Sequence, residues 1–316
     1  MAYSFRSRRR RVPRRGKRMV RVPRRSRRSR YPRRRQASRR RILNVSTRKL
    51  KDTMPVVAVN SGGFAGAPGV PYVMTGEKDW IFAFVPSARD SHLNNSSAFP
   101  VGQRGMYQRS LTDVYARGYK EFITMATNSG AHWLWRRLVV TMKTPLWKEF
   151  PLLTVQRQIP IGEGRTSGQV RTLYDIGSTA GVETDLAKKV FAVIFEGTLD
   201  VDWHNVFNGK PDKRFVKVIS DRTTSLKSTN DDAVLRNSKR WYPLNSNMHY
   251  NEKEEGGKIK DDPDVATLEN QASKFAADGI TGMGDVWIFD FFTCASRVAT
   301  DELRFQPNGT FYWHER

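Results

Sequence analysis

The chain has 316 residues, with 55 Lys plus Arg against 31 Asp plus Glu and a formal net charge of +24, enough length for one large domain or two small ones. Its single cysteine, Cys294, excludes an intramolecular disulfide and a cysteine-based zinc site and suits a reducing compartment. No apolar run is long enough for a membrane-spanning helix, and the basic N-terminus lacks the apolar core of a secretory leader.

The charge is confined to one end. Residues 1–51 hold 24 Lys plus Arg and no acid, whereas residues 52–316 balance at 31 charges of each sign. This asymmetry predicts a polyanion-binding tail joined to a body with another task. Of residues 1–41, 20 are Arg and one is Lys, and RVPRR recurs at 11–15 and 21–25, with RYPRR at 30–34. Like charges repel along such a segment, and it has too little apolar surface to offset its ordering entropy. Pro13, Pro23 and Pro32 remove backbone donors and favour extended geometry. Residues 1–50 are therefore expected to be a disordered Arg-rich arm, with the folded body at 51–316.

Arg suits bidentate phosphate contacts, and binding of this kind is driven by counterion release without regard to sequence. The candidate nucleic-acid contacts are Arg8, Arg9, Arg10, Arg11, Arg14, Arg15, Lys17, Arg18, Arg21, Arg24, Arg25, Arg27, Arg28, Arg30, Arg33, Arg34, Arg35, Arg39, Arg40 and Arg41, with Tyr31 offering a ring to unpaired bases. The same basic clusters match a nuclear import signal. No amphipathic apolar face accompanies the charge, which argues against a membrane surface as partner.

The body reads as all-β, because runs of β-branched and aromatic residues alternate with Gly, Pro, Asn and Ser breaks. In chain order the expected strands are 53–60, 79–86, 119–127, 132–143, 169–176, 188–201, 213–224, 238–245, 285–295 and 309–315. Helix is expected only at 111–117 and 267–277. Trp133 with Trp135, and Trp287 with Phe289, have the two-residue spacing of one strand face and are read as core. Segments 60–78, 87–110 and 246–282 are long loops, which usually carry contacts or binding sites.

Catalytic and metal signals are weak. None of His92, His132, His204, His249 and His314 lies near another in sequence or near Cys294. GEGRTSG at 162–168 lacks the Lys-Ser/Thr ending of a phosphate-binding loop and reads as a plain loop. The acidic pairs at 231–232 and 261–264 read as solvated loop tips. Cys294 ends an apolar strand and reads as buried packing. No cofactor, metal site or enzymatic activity is expected.

Further stretches carry a resemblance: ILNVSTRKLKDTM (42–54), VYARGYKEFI (114–123), KRWYPLN (239–245), MGDVWIFDFFTCAS (283–296), DELRF (301–305) and GTFYWHER (309–316). In their order and spacing they resemble the capsid protein of genomoviruses, small circular single-stranded DNA viruses related to geminiviruses. The resemblance runs from about residue 42 to the C-terminus. It implies an eight-stranded viral jelly-roll sandwich with long inter-strand loops, assembling as a homo-oligomer of about 60 copies in a T=1 icosahedral shell. It also implies an arm that holds the single-stranded DNA genome and meets host nuclear import receptors, so the chain is expected in the virion and the host nucleus. Two features depart from the family. A lone cysteine cannot build the Cys/His zinc finger linked to geminivirus capsid proteins, and RVPRR is not a family signature. The rival readings are a non-viral nuclear or ribosomal nucleic-acid-binding protein with a basic tail, and a nucleic-acid enzyme. The first should have a basic body, and the second should show a clustered catalytic set.

Overall fold

A computed structural model of the chain describes residues 45–59, 67–89, 109–149, 157–160, 167–177, 182–228, 232–251 and 274–316. Twelve strands run through it: β1 (Arg48–Met54), β2 (Val56–Val59), β3 (Tyr72–Thr75), β4 (Trp80–Phe84), β5 (Asp113–Thr127), β6 (Trp133–Met142), β7 (Arg157–Pro160), β8 (Ser167–Tyr174), β9 (Val216–Leu226), β10 (Leu235–His249), β11 (Asp285–Cys294) and β12 (Glu302–Glu315). The expected β-rich body is thus observed, with one long helix among the described residues, α1 (Val182–Ile194).

Two sheets form the core. The first runs β1-β12-β5-β10, with β3 also paired to β12; the second runs β4-β11-β6-β9. All these pairings are antiparallel. A small third sheet, β2-β8-β7, joins β2 and β8 in parallel. Pro307 sits inside β12, where proline is normally excluded. It is tolerated because β1 covers Gly309–Glu315 and β3 covers Glu302–Phe305, so its missing N–H falls in the gap between them. Pro243 lies on β10, an edge strand.

Side chains from both main sheets meet between them. Tyr119, Phe311 and Trp313 pack with Phe84, Val139 and Ile288; Ile123, Leu303 and Phe305 pack with Phe82, Trp135 and Phe292. Trp135 stacks on Phe292 with ring centroids 6.0 Å apart. Gly309 is required here, since a Cβ at that position would collide with the Tyr119 hydroxyl. Cys294 is buried against Ser296, its sulfur 3.1 Å from the Ser296 hydroxyl.

Charge is also built into this interior. Glu121 of β5 faces Arg137 of β6, Arg171 of β8 and Asp290 of β11, all at least 97 % buried at the side chain. Arg137 forks onto Asp290 through Nε at 2.6 Å and Nη2 at 2.8 Å, and Arg171 Nη2 donates to the same carboxylate at 2.8 Å. Both arginines also pair with Glu121. Burial alone would raise the Asp290 pKa. The two guanidiniums and the Trp135 indole N–H outweigh it and hold the carboxyl below its ordinary range. Two positive and two negative charges cancel, so the quartet pins the two sheets and β8 without a net buried charge.

The second sheet is covered on its far side by α1. Leu186, Ala187, Val190, Phe191 and Ile194 line one helical face and pack, with Phe195 and Trp203, against Leu138, Val140, Trp287, Phe289 and Phe291. Burial of each large side chain contributes about 1.5–3 kcal/mol. Three expectations change here. Residues 188–201 are not a strand; α1 runs to Ile194, because the apolar positions repeat at helical spacing although Val, Phe and Ile favour strands. Residues 111–117 are not helical, since β5 begins at Asp113 and pairs with both β10 and β12. Of 267–277, residues 274–277 form turn and bridge rather than helix, and the rest lie outside the described residues. Strands β3 and β7 were not foreseen, and β1 already takes in Arg48–Leu50.

Candidate nucleic-acid interface

The sequence-predicted contacts from Arg8 to Arg41 lie outside the described residues. Within the body the corresponding chemistry gathers on the outer face of the first sheet, the face turned away from the core. Strand alternation puts Lys49 and Lys51 of β1, Arg304 of β12, Arg117 and Lys120 of β5 and Lys239 of β10 on that face, all exposed. Its carboxylates stand at the margins. Asp113, at the start of β5, accepts from His249 Nδ1 at 2.6 Å, and Glu302 opens β12.

Register places aromatic rings between these cations. Lys120 lies between Thr310 of β12 and Trp241 of β10, and Phe122 between Asn308 and Lys239. Trp241 and Phe122 are 46 % and 41 % exposed, unusual for large rings on a solvent-facing sheet. Trp241 meets Tyr312 edge to face at 5.7 Å, and Tyr115 lies 5.9 Å from His314. Gly118 makes room for this arrangement, because a Cβ there would stand 2.6 Å from the Trp241 ring. Arg117 donates to the Asn245 side chain, which fixes its position over the β10 end of the face.

The field over this face is positive. Burial, followed by the charges of Lys49 and Arg117, pushes the His314 pKa below its ordinary value, so its imidazole is neutral at pH 7. Cations interleaved with exposed rings can grip phosphates and stack unpaired bases without reading sequence. A second basic surface is a groove of about 870 Å³ whose lining includes Lys143, Lys213, Lys217 and the half-exposed Phe215. There Lys143 is committed to the carbonyls of Gly279 and Ile280, at 2.9 and 2.6 Å.

The balanced charge of residues 52–316 is compatible with a local basic patch but does not locate this face. The signal was the two-residue spacing of Lys49 with Lys51 and of Lys239 with Trp241, with Arg117 and Lys120 brought to the same face by the register shift in β5. It becomes a patch only once β1, β12, β5 and β10 are neighbours. No group of three or more His, Cys, Asp or Glu able to hold a metal occurs among the described residues. Compared with known proteins, the chain matches no family model and no curated protein, so the reading of this face rests on its own residues.

Proposed function

We propose that the chain is the shell-forming capsid protein of a genomovirus-like virus, packaging single-stranded DNA through its Arg-rich arm. The observation that carries this reading is the interleaved strand order. Taking β1, β4, β5, β6, β9, β10, β11 and β12 as eight successive strands, one sheet holds the first, eighth, third and sixth. The other holds the second, seventh, fourth and fifth. Strands from opposite ends of the chain become neighbours, as in the double Greek key of a viral jelly roll.

Charge supports the same division of labour. The stretch before Asp52, the arm together with the first residues of β1, carries the whole basic surplus, and about 60 copies deliver about 1,400 positive charges, matching a DNA strand of one to a few kilobases by counterion exchange. A body of balanced charge packs on its copies without long-range repulsion. The arm enters the body at β1, and the first sheet to which β1 belongs turns its basic, aromatic face toward the DNA. Segments 60–78, 87–110 and 246–282, of which residues 60–66, 90–108 and 252–273 lie outside the described residues, serve subunit contacts and the outer surface. Nuclear entry through host import receptors follows from the arm's basic clusters.

Electron microscopy of the purified chain with and without single-stranded DNA tests the proposal. Uniform closed shells are expected; a monomer at every salt concentration overturns it. Removing residues 1–41 should abolish packaging and nuclear entry while leaving the body folded. A truncated chain that still packages DNA assigns that role wrongly to the arm.

A further inference from the structure

β9 and β10 are the edge strands of the two main sheets, and the space between the sheets opens to the surface there. Such a mouth is normally closed by apolar side chains or guarded by an isolated inward charge. Here three arginines gather. Arg222 of β9 pairs in register with Arg137, so it points into the inter-sheet space, as do Ser220 and Thr224 two residues to either side. From β10, Arg236, Ser238 and Arg240 alternate on the side of the buried Tyr242.

Among the described residues the cluster has no matching carboxylate. A narrow void of about 10 Å³ lies at its base, walled by Ser220, Arg222, Thr224 and Arg240 together with Trp135 and Arg137. Arg137 is already used by Glu121 and Asp290, and Asp221, on the opposite face of β9, is used by Arg136. Burial, reinforced by Arg222, Arg137 and Arg236 and opposed by Tyr242, lowers the Arg240 pKa. Two buried polar atoms here have no hydrogen-bond partner: Arg240 Nε and Ser238 Oγ. Unpaired buried donors and converging like charges both cost stability, and one ligand relieves both. Arg236 Nη1 donates to the Ser225 carbonyl of β9 at 3.1 Å, which holds its guanidinium at this mouth.

We propose that the mouth between β9 and β10 is an oxyanion site, in which Arg222, Arg236 and Arg240, with the hydroxyls of Ser220, Thr224 and Ser238, take a phosphate group. One oxygen seats toward the void and the others remain at the exposed rim, where Arg222 and Arg236 reach them in the forked geometry guanidinium favours. The site lies at the sandwich edge rather than on the basic sheet face, and it needs neither the arm nor shell assembly. Its chemistry fits a free phosphate ion or a phosphodiester of a nucleic-acid strand.

Thermal unfolding of the full-length chain tests it, with inorganic phosphate compared to chloride at equal ionic strength. The arm also attracts phosphate, but only binding to the folded state raises the melting temperature. Phosphate is expected to raise Tm by about 4 °C in the parent chain and in Lys188→Gln on the exposed side of α1. In Arg222→Gln and Arg240→Gln the apparent affinity should fall about 10-fold and the rise should vanish. In chloride alone both variants should melt at or above the parent, because a like charge has been removed. If Arg240→Gln does not fold, the exposed Arg222→Gln carries the test. A short oligothymidylate distinguishes the sources. A rise lost in the same variants identifies a phosphodiester, and a rise with phosphate alone identifies the free ion. No rise beyond chloride, or a rise undiminished in both arginine variants, overturns the site and leaves the arginines as guards of the sheet edges.

Discussion

The two main sheets share a core and treat their outer faces in opposite ways. In β11 of the second sheet, nine of ten positions are buried, because α1 covers the side that does not face the first sheet. In β12 of the first sheet, burial alternates without interruption from Leu303 to Glu315. No described element covers its outer side, which displays Lys, Arg, Tyr and Trp. The apolar surplus of a strand thus tells whether its own chain covers it. A polar face left open on the other sheet is the surface on which the proposed function places an external partner. The proposed role follows this division: the second sheet is architecture on both faces, and the first is architecture on one face and a binding surface on the other.

Three variants separate the two faces, from the largest effect on stability to the smallest. Glu121→Ala leaves Arg137 and Arg171 buried with only Asp290 to balance them; chemical denaturation should register a loss of about 3–5 kcal/mol. Phe191→Ala removes the ring between α1 and Phe291, 6.4 Å from its centroid. A loss of about 3 kcal/mol is expected, and a loss below about 1 kcal/mol means α1 is not a real cover. The double substitution Lys120→Glu, Lys239→Glu on the open face should change stability by no more than about 0.5 kcal/mol. In a chain lacking residues 1–41 it should weaken binding of single-stranded DNA at least about 10-fold and lower the salt slope by about one per lost phosphate contact. Unchanged binding removes the face from the proposal.

Asp285, at the start of β11, sharpens the comparison through pH. It accepts hydrogen bonds from the Ser87 hydroxyl and the Ala276 N–H, both at 3.1 Å, and no described cation pairs with it. Burial therefore dominates and raises its pKa from 3.8 to about 7. Between those values the folded state holds a proton that the unfolded state has lost. Stability from this group is complete below the unfolded pKa and falls as the pH rises toward 7, the reverse of a salt-bridged carboxylate such as Asp290. Denaturation at pH 4.5, 6 and 7.5 should show a parent-chain gain on acidification, on the order of 4 kcal/mol at most, that Asp285→Asn lacks. Parallel curves for the two proteins contradict this assignment.

The sequence made most strands legible wherever composition and alternation agreed, as in DWIFAFVP, HWLWRRLVVTMK and DVWIFDFFTCA. It misled at 188–194, where Val, Phe and Ile favour a strand and the spacing of Leu186, Val190, Phe191 and Ile194 favours a helix. The spacing prevailed because Leu138, Val140, Phe289 and Phe291 offer a flat apolar sheet for that face. The short β3 and β7, at four residues each, carry too little pattern to stand out. Glu121 and Asp290 gave no sign of their role, since a lone acid in an apolar run acquires a partner only when distant strands meet.

Length, the single cysteine, the placement of all surplus charge before Asp52 and the β-rich character of the body were settled by the sequence alone, because composition and two-residue periodicity are local properties. Tertiary structure decided which strands are neighbours. That decision assembled the buried quartet from β5, β6, β8 and β11, the basic face from β1, β12, β5 and β10, and the arginine mouth from β9 and β10. Each depends on pairing between residues far apart in the chain, where register rather than composition sets which charges meet.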